Sequence, residues 1–447
     1  MTVALDSVRA DLVGLVGVSQ VVTDVAGCAA FAVDGKVPES AVAPPTSERV
    51  AAILRYAAEH DLAVIPRGSG TKLSHGDVPQ RYDLSLSLRE LNDVTHYEPA
   101  DLTISVQAGM TVGDFQDLVG QNGLWLPLDP RGGAQATIGG VIAANAAGPL
   151  RQAFGGPRDM VLGLKIATTD GKVVKTGGRV VKNVAGYDFC KLLTGSFGTL
   201  GVITEASLKL FPQPPERATF VLGAGTLGIA RDLRRSILRS PVDPLRLVLL
   251  DARATVVLND LAEATAAPQP ELWIELGGSN RVIERCMLEL RRLTSAVGAS
   301  LARREEPEDA WSRISNLALW LQQKYHDVTV LKAAQPLTAT EEFLSRAQQE
   351  AEAEHIALAG FAQVGVGIVH LCALQETLSA GLVAWVNRLR QAAAELGGTL
   401  VIEHCPVGLK SQVNVWGACG DDLAAMRKMK IAWDPKGTLS PGRFLGF

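Results

Sequence analysis

The chain has no C-x-x-C pair. Its six cysteines (Cys28, Cys190, Cys286, Cys372, Cys405 and Cys419) are scattered, which denies it the usual spacings of iron-sulfur and structural zinc ligands and fits reduced thiols serving as small hydrophobes. Excess charge of one sign is missing too. Lysine and arginine number 43 against 47 acidic residues, a formal net charge of −4, and no basic block gives the footprint of a nucleic-acid partner. No run of about 18 apolar residues reads as a membrane span. The opening MTVALDSVRADLVGL puts Asp6 and Asp11 where a secretory signal would be apolar. The expectation is a cytoplasmic protein that meets the inner membrane face only peripherally, through partners. Both common nucleotide fingerprints, G-x-G-x-x-G after a strand and the P-loop, are absent as well.

What the chain does have is apolar content and glycine. At 447 residues and 47% apolar, it is long enough for two α/β or α+β domains with sizeable cores. The periodicity predicts a helix over 47–59, with Val50, Ile53, Leu54 and Ala57 on one face and Thr46 or Ser47 as cap, then a strand over 62–66. A strand over 102–107 and a helix from the Thr111 cap to about 121, stopped by Gly123, repeat the unit. Asp170-Gly171 marks a hairpin turn, followed by a short helix near 188–194 and a strand over 200–210. FPQPPER, with three prolines, is the best domain boundary. Beyond it, helices at 279–294, 340–353 and 379–396 alternate with strands such as 244–250 and 398–402. No internal repeat stands out.

Glycine gathers in four clusters: Arg67-Gly68-Ser69-Gly70-Thr71, PLDPRGGAQATIGGVIAANAAGP at 127–149, Gly155-Gly156-Pro157, and Gly195 to Gly201. Small residues permit tight turns and close packing. They also let backbone amides converge on phosphate oxygens and let main chain lie against a flat ring. The lack of basic residues from 132 to 150 favours recognition by dipoles, with Gly139, Gly140 and Gly148 as contacts and Asn145 as a side-chain donor.

PRGSGTKL, LDPRGGAQATIGGVIAANAAGP, RDMVLGLKIATTDGKVVKTGGRVVKNVAGYD and GSFGTLGVITEASLKLFP occur in this order. Together they resemble the FAD-binding domain of the vanillyl-alcohol oxidase and p-cresol methylhydroxylase (PCMH) type. With the ending WGACGDDLAAMRKMKIAWDPKGTLSPGRF, the set is most similar to the FAD-binding subunits of bacterial glycolate oxidase (glycolate dehydrogenase). The resemblance implies an α+β, two-domain PCMH-type fold. An extension at 1–40 precedes the FAD-binding domain at 41–215, then come an α+β cap domain at 216–425 and a tail at 426–447 that returns to the flavin. It implies that Pro66, Arg67, Gly68, Ser69, Gly70 and Thr71, with Pro130, Thr137, Ile138, Gly139, Gly140, Asn145 and Gly148, wrap the pyrophosphate and flavin edge. Gly198, Leu200, Gly201 and Ile203 would lie along the adenine side, and Arg443 near the cofactor, where its charge would favour an anionic reduced flavin. Thr71 stands where covalently flavinylated members have histidine, so non-covalent FAD is expected. Ser440 replaces the usual asparagine of the tail.

Related catalytic subunits carry G-D-G-N-x-H and E-H-G-x-G stretches. Here GVGIVH and EHCPVG retain His370, Glu403 and His404, while Val366, Ile368, Cys405 and Pro406 depart from the pattern. Two histidines and a glutamate suit a base with its orienting carboxylate, or a metal site, and equally suit ordinary packing; no metal is assigned. Tyr187 and Lys182 in VVKNVAGYD are open in the same way, as substrate contacts or as packed and solvated side chains. The resemblance implies a 2-hydroxy-acid substrate such as glycolate giving hydride from C2 to flavin while a base takes the hydroxyl proton. Its partners would be a catalytic flavin subunit and an iron-sulfur subunit of the same complex. A stand-alone D-lactate or other 2-hydroxy-acid dehydrogenase, and a scaffold with structural FAD, remain alternatives.

Overall fold

The computed structural model describes residues 5–179, 187–259, 268–305, 307–325, 327–375 and 380–447. The chain divides into two compact units: 1–147, 156–213 and 418–447 form the first, and 148–155 with 214–417 form the second. Residues 1–40, expected as an extension, belong to the first unit, because the helix Leu5–Val16 buries Val8 and Leu12 and the strand Val21–Val22 pairs with Ser40–Val42. Residues 418–425, expected with the cap, also join the first unit, whereas Gly148 falls in the second.

Among the described residues the first unit holds two larger sheets and a two-stranded ribbon of Leu124–Trp125 with Phe211–Pro212. One orders Val21–Val22, Ser40–Val42, Leu84–Ser87 and Val64–Arg67, with the last three parallel. The other is antiparallel, ordering Val94–Glu98, Thr103–Gln107, Val202–Lys209, Val161–Ala167 and Val173–Gly177. The helix Ser47–Glu59 forms because Thr46 accepts a hydrogen bond from the Arg49 amide at 3.2 Å, Glu48 suits its first turn, and Val50, Ile53, Leu54 and Ala57 bury one apolar stripe. The turn that reverses Val161–Ala167 into Val173–Gly177 has Gly171 at φ 83°, the left-handed geometry that Asp-Gly accepts.

The second unit is an eight-stranded antiparallel sheet built from a repeat that the sequence does not advertise. Glu216–Gly223, Leu227–Leu238, Arg246–Leu250, Glu271–Gly278, Asn280–Ala296 and Ser300–Arg304 run βαββαβ, interrupted by the helix Ala252–Asn259. Asp327–Ala334, Thr340–Ala353, Ala357–Gln363, Ile368–Gln375, Ala380–Glu395 and Thr399–His404 run βαββαβ again. The two halves meet where Arg246–Leu250 pairs antiparallel with Ala357–Gln363. Four repeat helices pack one face, burying Leu233, Leu290, Phe343 and Trp385. Ala252–Asn259, Pro307–Ser315 and Leu317–Lys324 cover part of the other around Trp273 and Trp311. Similar topology needs only similar apolar periodicity, not similar residues.

Asp251, 1% exposed, fastens the seam between the halves. Its carboxylate accepts from the amides of Ala254 and Gly360, both at 2.7 Å, and from Gln348 Nε2 at 3.4 Å. Burial raises its pKa to about 6, against the lowering effect of those bonds. A raised carboxyl pKa adds stability below its unfolded value that is lost as pH climbs through the folded value. We therefore expect the stability of the wild type relative to Asp251→Asn to fall by about 1–3 kcal/mol between roughly pH 4 and 6 and to be flat above that. Urea melts at stepped pH will check it.

Candidate FAD site and a polar row on the second sheet

Strand Val64–Arg67 ends in the first glycine cluster. Gly68 is obligatory there for packing, since a Cβ would lie 1.9 Å from Thr137 Oγ1. Thr137 caps the helix Ile138–Ala143, and a Cβ on Gly139 would meet that of Ala108 at 2.6 Å. The third element is the loop Gly195–Gly201. Its Gly195 and Phe197 amides donate to the Ile142 and Ala143 carbonyls at 3.0 and 2.9 Å, and Phe197 takes φ 54°, a conformation that side chains other than glycine seldom adopt. Together Pro66, Arg67, Gly68, Gly139, Gly140, Gly198, Gly201 and Ile203 line one cleft. Leu88, Ala143, Phe197 and Val202 line it as well; none was singled out from the sequence, although Ala143 and Phe197 lie inside the second and fourth glycine clusters, whereas Leu88 and Val202 carried no signal. The cleft's volume of about 60 Å³ is far below that of a whole ligand pocket, so it grips a segment of an elongated ligand.

The glycine clusters differ in what their amides offer. Those of Ile138, Gly139 and Gly140 are spent on Met110 O, Ala108 O and Thr137 Oγ1, so these residues supply close approach and not donors. Among the described residues, the amides of Ser69, Gly70 and Thr71 meet no acceptor, and Gly70 has φ 83°; consecutive unspent amides of this kind form an anion-binding nest. Among the described residues, the side-chain atoms buried without a hydrogen-bond partner include Arg67 Nη1, Asn145 Oδ1 and Ser196 Oγ. Burial pushes the Arg67 guanidinium below its usual range, and its positive charge lies 5.0 Å from the Phe31 ring.

The remaining expected residues lie elsewhere. Leu200 and Ile138 are buried, Pro130 accepts from the Gly133 amide at 2.9 Å, and none of the three lines the cleft. Arg443, 6% exposed, does not line it either. Its guanidinium donates to Asp34 at 2.7 Å and to the carbonyls of Leu73, His75 and Asp77, so it holds the loop after the first glycine cluster. Ser440 has φ 48° and donates its amide to Val64 O at 2.8 Å, a left-handed turn position that asparagine tolerates better. Tyr187 is 86% exposed, beside a separate 1050 Å³ hollow that also takes in Phe189, Trp433 and Lys436. Lys182 lies outside the described residues.

In the second unit, strand register brings three of the predicted residues to one region. His370 stands opposite Lys332 on one neighbouring strand and Phe361 on the other, and stacks on the Phe361 ring at 4.7 Å and 15°. Glu403, 4% exposed, lies 4.0 Å from Lys332 Nζ. His404 pairs with Val330, where a bulge shifts the register. Along the same face the next residue after Phe361 is Gln363, whose Oε1 is buried without a partner. Lys332 and Gln363 had no motif to reveal them. Among the described residues no three His, Cys, Asp or Glu side chains gather closely enough for a metal.

The model of an FAD binding domain matches residues 38–177, and that of the C-terminal domain of FAD linked oxidases matches 213–444, more than half of the chain. The chain belongs to the FAD-linked oxidases. It is 29% identical over 417 residues to glycolate oxidase subunit GlcD of Bacillus subtilis, covering 91% of this chain and 89% of that protein. To a D-lactate dehydrogenase of Archaeoglobus fulgidus it is 28% identical, covering 90% of each. In fold, the oxidase resembles p-cresol methylhydroxylase with substrate bound, with a TM-score of 0.75 at 16% identity, covering 98% of this chain and 96% of that one. A 4-ethylphenol oxidase from Gulosibacter chungangensis gives 0.75 at 15%, with the same coverage. FAD suits the cleft of this FAD-linked oxidase: the unspent amides of 69–71 and Arg67 Nη1 are donors for a pyrophosphate, and Asn145 and Ser196 offer further polar atoms.

Removing the Arg67 donor in Arg67→Met should weaken FAD binding about tenfold, read by titrating flavin-free protein under fluorescence quenching. Acid precipitation should release the yellow cofactor into the supernatant as free FAD.

Proposed function

We propose that this FAD-linked oxidase is the FAD-binding subunit of a 2-hydroxy-acid dehydrogenase that oxidises glycolate to glyoxylate. Support comes from the activities named for its relatives, which act on glycolate, D-lactate and D-2-hydroxyglutarate, all 2-hydroxy acids. The observation that carries it is the juxtaposition of Lys332 and His370 on adjacent strands, with Glu403 beside the lysine. An ammonium is the complement of a substrate carboxylate, and an imidazole held flat by Phe361 suits a base for the hydroxyl proton at C2. His404 is a second proton acceptor in the same region, and Glu403 tempers the lysine's charge. Bound FAD supplies the two-electron acceptor for the C2 hydrogen. The scattered cysteines of this chain hold no cluster spacing, so onward electron transfer is assigned to an iron-sulfur partner subunit, with a catalytic flavin subunit completing the complex.

Anaerobic addition of glycolate to the purified oxidase should bleach the flavin band near 450 nm, roughly where oxidised flavins absorb. His370→Gln should slow that bleaching about a hundredfold without loss of bound FAD. A wild-type spectrum that stays oxidised with glycolate and D-lactate yet bleaches with dithionite would assign the substrate step to a partner.

A further inference from the structure

The helix Asp422–Trp433 buries one side chain, and it is a lysine. Surface helices are ordinarily anchored by an apolar stripe, and a buried ammonium is costly unless its donors are met. Lys430 has three such donors and three acceptors: Thr199 O at 2.9 Å, Leu439 O at 2.8 Å and Asp434 Oδ2 at 2.7 Å. Burial lowers the lysine's pKa while Asp434 raises it. Asp434 in turn accepts from the Thr438 and Leu439 amides at 3.0 and 2.8 Å. Thr438 O and the Ser440 amide clasp Val64, each at 2.8 Å, in the strand that runs into Arg67 and Gly68. The ammonium therefore joins two of the walls that line the cleft, the Gly195–Gly201 loop and the Val64–Arg67 strand, while lining no part of it.

We propose that Lys430 is a positioning residue for FAD: with Asp434 it latches the loop that carries Phe197 and Gly198 to the strand that carries Pro66, Arg67 and Gly68, and so sets the spacing of the cleft. The Gly195–Gly201 loop is also held to the helix Ile138–Ala143 through its Gly195 and Phe197 amides, and Lys430 is what ties it to the strand side through Leu439 and Asp434. A Cβ on Gly198 would come within 2.7 Å of Pro66, so the walls already touch, and a shift of either closes or opens the cleft directly. The proposal rests on this cleft being where FAD binds.

The test uses full-length protein stripped of flavin and titrated with FAD, comparing wild type, Lys430→Gln and Asp434→Asn, with Arg67→Met as the control on the cleft itself. Asp434→Asn leaves the ammonium on its two carbonyls and serves if Lys430→Gln fails to fold. Both latch variants should weaken FAD binding about tenfold or more. Hydrogen exchange in the flavin-free protein should quicken at 195–201 and 64–68 while the strand Thr103–Gln107 stays slow. Wild-type FAD affinity in a folded latch variant overturns the proposal, as does exchange that quickens evenly across the unit, which would mark a merely structural role. If Arg67→Met also binds FAD normally, the cleft assignment is wrong and the latch falls with it.

Discussion

One buried ammonium ties the tail of the first unit to the Gly195–Gly201 loop. Lys430 donates to a carboxylate and a carbonyl of its own tail and to a carbonyl of the Gly195–Gly201 loop, and withdrawing one partner from a buried pair of this kind typically costs about 3–5 kcal/mol. The glycine loops beside it have little side-chain bulk with which to hold themselves, and their conformational freedom is the very property that lets a ligand approach. Something outside them has to remove that freedom. The tail does so at two points, through Lys430 and Asp434 at one loop and through Arg443 and Asp34 at the 73–77 loop. A cation suits this task because it converges several acceptors at once, and the low-dielectric surroundings make each of those bonds stronger than it would be in water.

The second unit answers a different physical need. An eight-stranded sheet covered by helices on one face and partly on the other offers rigid, regularly spaced positions, and antiparallel register decides which side chains stand together. The stretch of the second face around Trp273 and Trp311 is apolar and helix-covered. Farther along the same strands the row of Phe361, His370 and Lys332 begins. A histidine and a lysine on neighbouring strands are held more firmly than the same groups on loops. Asp251 and the buried Arg234–Glu341 pair, with bonds of 2.5 and 3.0 Å, tie the two halves of this sheet across their seam.

Elements made by local rules were legible. The helix Ser47–Glu59, the Thr111 cap, the Asp170-Gly171 turn and the break before Pro214 all follow from residues within a few positions of each other. Roles within the glycine clusters were only half legible: composition shows where backbone comes close, but whether an amide is spent depends on an acceptor elsewhere, and so Gly139 and Gly70 part ways. Arg443 shows the same limit. Its motif placed it in the tail, and its partners at 34 and 73–77 lie 366 to 409 positions away.

By itself, then, the sequence determined the class of ligand-binding backbone, many of the local helices and strands and the break before Pro214, since each is a property of short-range patterns. Tertiary structure alone decided the repeated βαββαβ topology, the pairing of Lys332 with His370, and the role of Lys430. These are relations between residues distant in the chain, set by strand register and by the need of each buried charge to find acceptors, and no local pattern encodes them.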